Sequence, residues 1–206
     1  AARVELGMTA AELGWREQAL TALEKAGAAN PDHAMMFKPL VAALRGEGDL
    51  ASALAAVKQV RRAHALLGEQ RHEAALDPLR SATKTAPEYA YAHLELGLWL
   101  FRLGRYAEAA VPLQRHTELA PDVAYPWGLL AFVRLMQGDR DGAERAAEAA
   151  FARDREFEAM YGPLVRALTA GDLETARRER DRLEATGARL PPGLDRLLPP
   201  RDAGER

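Results

Sequence analysis

Cysteine is missing altogether, which excludes disulfide frameworks, thiolate zinc sites and a cysteine nucleophile. The same absence suits a reducing cytosol and a periplasm, with a cytoplasmic location expected ahead of a periplasmic one. Serine is scarce, at Ser52 and Ser81 only, and there is no Gly-rich phosphate loop, serine-nucleophile motif or HExxH pair. Catalysis is therefore not expected here; an enzyme, or the substrate-recruiting part of one, ranks last among the functional classes. A charge excess of one sign is absent too. The 28 Lys and Arg nearly cancel the 30 Asp and Glu, for a net charge of -2, so no basic footprint suits a phosphate backbone and nucleic acid is not an expected partner. Long apolar runs are also missing. The dry stretch from Tyr89 to Phe101 is 13 residues long and includes His93 and Glu95, whereas a membrane span takes about 20.

What is present is ordinary for a folded chain: 48% hydrophobic and 28% charged residues, too apolar for disorder to be the expectation. The chain opens at Ala1 with no basic and apolar leader, so a targeting segment would lie outside these residues. Arg makes up 24 of the 28 basic residues and Ala is abundant, a composition that suggests a GC-rich, bacterial genome.

The chain repeats itself every 34 residues. Ala75, Ala109 and Ala143 are successive steps of that length, and Gly104 and Gly138, Pro87 and Pro121, Gly97 and Ala131, and Pro78 and Pro112 are pairs one step apart. A fixed period of this size marks stacked supersecondary units, each unable to bury its apolar face alone. Each slot has a physical job: small residues let two helices approach, a mid-unit Gly relaxes the backbone where the first helix ends, and a closing Pro stops the second.

On these residues the chain resembles the tetratricopeptide repeat (TPR) family. Leu96, Gly97, Gly104, Tyr106, Ala109 and Pro121 match its pattern in one unit, and Trp127, Leu130, Ala131, Gly138, Ala143 and Ala150 in the next, where Arg155 replaces the closing Pro. Leu6, Gly7, Gly14, Ala19, Ala26 and Pro31 form another unit, and weaker ones turn at Gly48 and Gly171. The resemblance covers roughly residues 1 to 189 and implies an all-α solenoid of antiparallel helix pairs forming a curved superhelical array.

The register breaks once. From Ala53 to Ala75 is 22 residues, with no Gly or Pro between Asp49 and Leu67. One continuous helix of about 28 Å, at 1.5 Å per residue, serves both flanking units on this reading; a deleted segment is the competing explanation. The expected divisions are 1–67 ending in the shared helix, 68–189 with a capping helix, and a Pro-rich tail over 190–206.

His93 and His116 occupy slots that face each other within a repeat. Zinc needs a third protein ligand and none is evident, so they are expected to pack or hydrogen-bond, and no metal or cofactor is expected. His64 and His72 flank a turn and are expected to be solvated. The carboxylates Glu69, Glu73, Asp172 and Glu174 sit in first turns, where the helix dipole favours them. The mixed-charge runs near 144–158 and 176–185 are read as solvated faces.

The family resemblance implies that the first helix of each unit lines an inner face. Its inward slots hold Tyr91, Leu94, Leu98 and Phe101 in one unit and Tyr125, Gly128, Phe132 and Leu135 in the next, with Met136 beside them. TPR proteins that clamp an acidic tail carry Lys, Arg and Asn at these slots; here only Lys38 and Arg102 are basic exceptions, so acidic-tail capture is not supported. An apolar groove of this kind implies a protein-interaction scaffold that takes an apolar peptide or amphipathic helix. The alternative is a structural or oligomerisation domain whose groove is filled by a second copy, as in a homodimer, or by the chain's own tail through Leu190, Leu194, Leu197 and Leu198.

Overall fold

Helices in this chain stop where one residue turns left-handed and the next amide donates back five residues. Gly14, Gly104, Gly138 and Gly171 have φ of +76, +74, +78 and +76°, a region glycine enters without steric cost. Behind them Trp15 donates to Ala10 at 2.8 Å, Arg105 to Leu100 at 2.8 Å, Asp139 to Arg134 at 2.9 Å and Asp172 to Ala167 at 2.9 Å. This Schellman closure satisfies carbonyls that the helix end leaves unpaired. At the turn expected on Gly48 the closure belongs to Gly46, at φ +97°, with the Glu47 amide bonded to Ala42 at 2.9 Å, and Gly48 follows at φ +102°.

The computed structural model describes residues 2–188, 190–191 and 193–198, all-α among the described residues, and it divides into two compact units, Ala1–Glu95 and Leu96–Arg206. The first holds α1 (Ala2–Glu12), α2 (Arg16–Ala29), α3 (Pro31–Leu44), α4 (Leu50–Gly68), α5 (His72–Thr85) and the start of α6 (Ala90–Arg102). The second holds the rest of α6, then α7 (Tyr106–Leu119), α8 (Ala124–Met136), α9 (Arg140–Phe151), α10 (Arg155–Ala170), α11 (Leu173–Ala185) and α12 (Leu194–Leu197). Short connections make successive helices antiparallel neighbours; α1 on α2, α4 on α5 and α8 on α9 pack most extensively.

Five helices start on a side-chain cap that satisfies an orphan amide of the first turn. Asn30 accepts from the Asp32 amide at 2.8 Å, with Pro31 in the first helical position, and Asp49 accepts from Ser52 at 2.7 Å. Asp139 accepts from Gly142 at 2.9 Å, Asp154 from Glu156 and Phe157 at 2.9 Å each, and Asp172 from Thr175 at 3.0 Å. No such cap precedes α2, α5 or α7.

α4 runs 19 residues without a turn. Its first half follows Gly48 as the second helix of one repeat, and its second half leads into Gln70 as the first helix of the next. Gln70 lies 34 residues before Gly104. It has φ +60°, with the Arg71 amide closing on Leu66 at 2.9 Å. A glutamine thus does at position 70 what glycine does at 104 and 138.

The glycine eight residues into a repeat is needed for space. A Cβ on Gly97 would lie 2.6 Å from Leu113 Cγ, and one on Gly7 would lie 2.7 Å from Leu23 Cγ. Two repeats, one in each unit, use the same close approach of first helix to second.

The Pro-rich tail expected over 190–206 is described at 190–191 and 193–198; its other residues lie outside the described ones. Within it α12 packs on α8, and Leu194 and Leu198 are buried to 4 and 1% exposure.

Candidate functional site

α6 crosses the border of the two units, so the inward residues named from the sequence divide between them. In the first unit Tyr91 and Leu94 are both buried. In the second, Phe101, Phe132 and Leu135 are buried, Leu98 and Met136 are half-buried, and Tyr125 is 47% exposed.

α8 forms the centre of the apolar surface in the second unit. Its sequence AYPWGLLAFVRLM carries a single charge, Arg134, so it buries side chains on almost every side. Gly128 at its second turn leaves room for the ring of Phe157, which a Cβ there would strike. Phe157 in turn packs on Tyr161 with ring centroids 5.0 Å apart. At the other end Tyr106 stacks at an angle on Phe101, 5.7 Å between centroids.

The tail comes back to this end of α8. Gly193, at φ +79°, lies against the Tyr106 hydroxyl, and a Cβ built on it would come 3.4 Å from the Met136 methyl. The Arg196 guanidinium sits 5.7 Å from the centroid of the Tyr106 ring, a cation–π placement. The side of α12 bearing Leu194 is covered, whereas Asp195 and Arg196 are exposed. Sequence reasoning identified the tail leucines as candidates to fill a groove. It missed Tyr106 and Gly193, whose only signals were an aromatic in the repeat pattern and a glycine within a Pro-rich stretch.

In the first unit the start of α6 is polar as well as apolar. Tyr89 donates its buried hydroxyl to the Met36 carbonyl. Tyr91 packs edge-on to His64, 6.1 Å between centroids at 72°, and His64 Nε2 lies 3.2 Å from Glu95 Oε2. Burial pushes both tyrosine hydroxyls up, and for Tyr91 the neighbouring Glu95 carboxylate adds to the effect. Both phenols are neutral donors across the physiological range. His64, expected to be solvated, is instead half-buried, because the long α4 carries it past the expected turn to the side of Tyr91.

Other features are structural. His93 Nε2 lies 3.0 Å from the Pro87 carbonyl, and His116 is buried in α7. Among the described residues no group of three or more His, Asp or Glu is placed to hold a metal ion, and no helix is long and apolar enough to cross a membrane. A shallow cavity of about 720 Å³ in the second unit is lined by Gln114, Trp127, Arg134, Asp139 and Arg145 among others. Its polar groups are paired with one another or with backbone: Arg134 bonds Gln114 at 3.2 Å and lies 3.5 Å from Asp139, and the Trp127 indole donates to the Pro121 carbonyl at 2.9 Å.

The family model described as "Tetratricopeptide repeat" matches residues 60–124, from the second half of α4 to the first residue of α8. No curated protein sequence matches the chain. Among solved structures, the "Crystal structure of MamA protein" is similar at 19% identity and a TM-score of 0.46, covering 78% of this chain and 93% of that one. The "Crystal structure of MamA" is similar at 20% identity and a TM-score of 0.46, covering 76% of this chain and 98% of that one.

Proposed function

The chain is built of tetratricopeptide repeats, and on that premise we propose a non-catalytic protein-interaction scaffold whose second unit binds an apolar peptide or amphipathic helix of a partner. The contact set is Leu98, Phe101, Tyr125, Phe132, Leu135 and Met136; Tyr91 and Leu94 form a separate, smaller patch in the first unit. The observation that carries this reading is the seating of α12 on α8, with Leu194 and Leu198 buried. A helical turn with leucines on one side is the kind of segment this surface accepts.

The test uses the three residues of the set that keep solvent exposure. Leu98→Glu, Tyr125→Glu and Met136→Glu together should leave helicity nearly unchanged and abolish capture of a partner, since losing such anchors costs an interface about 2 kcal/mol or more each. Gly97→Glu is the contrasting control: a large charged group has no room beside Leu113, so it should unfold the helix pair. Capture of the same partners at the same affinity by the triple variant would remove the α8 face as the binding site.

The second reading is a structural or oligomerisation role, with the face filled by the chain's own tail or by a second copy. The packing of α12 favours the tail. Sedimentation of the Leu194→Asp, Leu198→Asp variant separates the two: a monomer that turns dimeric on losing these leucines has a face that a second copy also fills.

A further inference from the structure

Resting on the reading of the α8 face as a docking surface, we infer that residues 193–198 are its built-in ligand, a latch that competes with any partner presenting a short helix with leucines four residues apart and an arginine midway. Four observations carry this. A four-residue helix is too short to hold its own shape in water, so α12 takes its form from the surface beneath it. Leu194 and Leu198 are one helical turn apart and project to the same side, and both are buried. Arg196, between them, stays exposed with its guanidinium over the Tyr106 ring. Gly193 enters where only a residue without a side chain fits, against Tyr106.

The segment is also set up to detach. α11 closes before it with Gly187 at φ +73° and the Ala188 amide bonded to Leu183 at 3.1 Å, so the tail leaves the helical stack before it returns. Its polar holds are surface ones, such as Asp195 in the field of Arg180 and Arg196 on the face of Tyr106. A ligand tethered this closely acts at an effective concentration in the millimolar range, which a partner must overcome.

The experiment is fluorescence anisotropy with a labelled peptide of residues 190–206, titrated with the full chain and with the full chain carrying Leu194→Asp and Leu198→Asp. The peptide should bind the double variant at least about tenfold more tightly than the wild type, because the competing tether is gone. Arg196→Ala in the peptide should weaken binding, and the two Leu→Asp changes in the peptide should abolish it. No binding to a double variant that keeps its helicity, or equal binding to both proteins, overturns the latch. Hydrogen exchange on the wild type guards against a variant that fails to fold: the amides of 194–198 should exchange well ahead of those of α8, and exchange of both only on global unfolding makes the tail core and overturns the proposal. The two readings fail separately. Unchanged capture by the Leu98, Tyr125 and Met136 variant removes the docking surface, whereas absent peptide binding removes the latch.

Discussion

Gln70 is held at φ +60°, a conformation that costs a residue with a Cβ about 1–2 kcal/mol. Glycine would relieve that strain while adding entropy to the unfolded chain, so Gln70→Gly should stabilise by about 0.5–1 kcal/mol, read as a higher Tm in thermal melts. At Gly97 the balance is reversed. The backbone has no need of glycine there, but the Leu113 side chain fills the space, and Gly97→Ala should cost about 1–3 kcal/mol from overpacking. Two caps give a pH dependence. The Ser52 hydroxyl, then its amide, holds the Asp49 carboxyl below its usual range, and Thr175 does the same for Asp172. A folded pKa below the unfolded value means that this stabilisation is present above pH 3.8 and is lost as pH falls through the lower, folded value. Asparagine also caps helices but does not titrate. Melts of the Asp49→Asn, Asp172→Asn variant should therefore show a shallower fall in Tm between about pH 5 and pH 2 than the wild type.

Among the elements, α4 departs furthest from the 34-residue pattern, yet it was legible because Gly and Pro are absent between Asp49 and Leu67. With nothing to break it, the helix runs through and serves two repeats. Lys58 sits exposed near its middle, its ammonium 2.8 Å from Glu12. Lys58→Pro should break the helix at a cost of about 3 kcal/mol or more, seen as loss of the cooperative melt; a variant that melts like the wild type would mean the two halves of α4 are independent. The turn after α4 was not legible, because glutamine rarely occupies a left-handed position and position 70 carries no glycine to announce it. α12 was not legible as a helix either. A stretch of Pro, Gly and Leu reads as a tail, and only a surface to lie on makes one turn of it helical.

For the whole molecule, the lack of a charge excess and the apolar character of α8 bear on the same measurement. If a partner docks through leucine-rich contacts, raising the salt to about 1 M, where the Debye length is about 3 Å, should leave capture within about twofold of its low-salt value. A steep loss with salt would instead assign recognition to the charged outer surfaces, such as the arginines of α11. The absence of cysteine and the scarcity of serine bear on chemistry in the same direct way, since a side chain that is not in the chain can supply no nucleophile.

By itself the sequence determined where helices begin and end and that they pair, because those outcomes depend on neighbours a few residues away: a left-handed glycine, an aspartate facing a free amide, a small residue where two helices approach. It also determined the order of apolar residues along α6 and α8. Only the tertiary structure decided which of those residues are covered and by what. Burial of Phe132 and Leu135 beside a tail some 60 residues farther along depends on where a distant segment comes to rest, and the spacing of Leu194 and Leu198 names no destination. Tyr91 and His64 likewise meet only because an unbroken α4 carries the histidine to the tyrosine. Local rules act through the backbone and can be read in order, whereas apolar attraction has no direction and is settled only once the whole chain has folded.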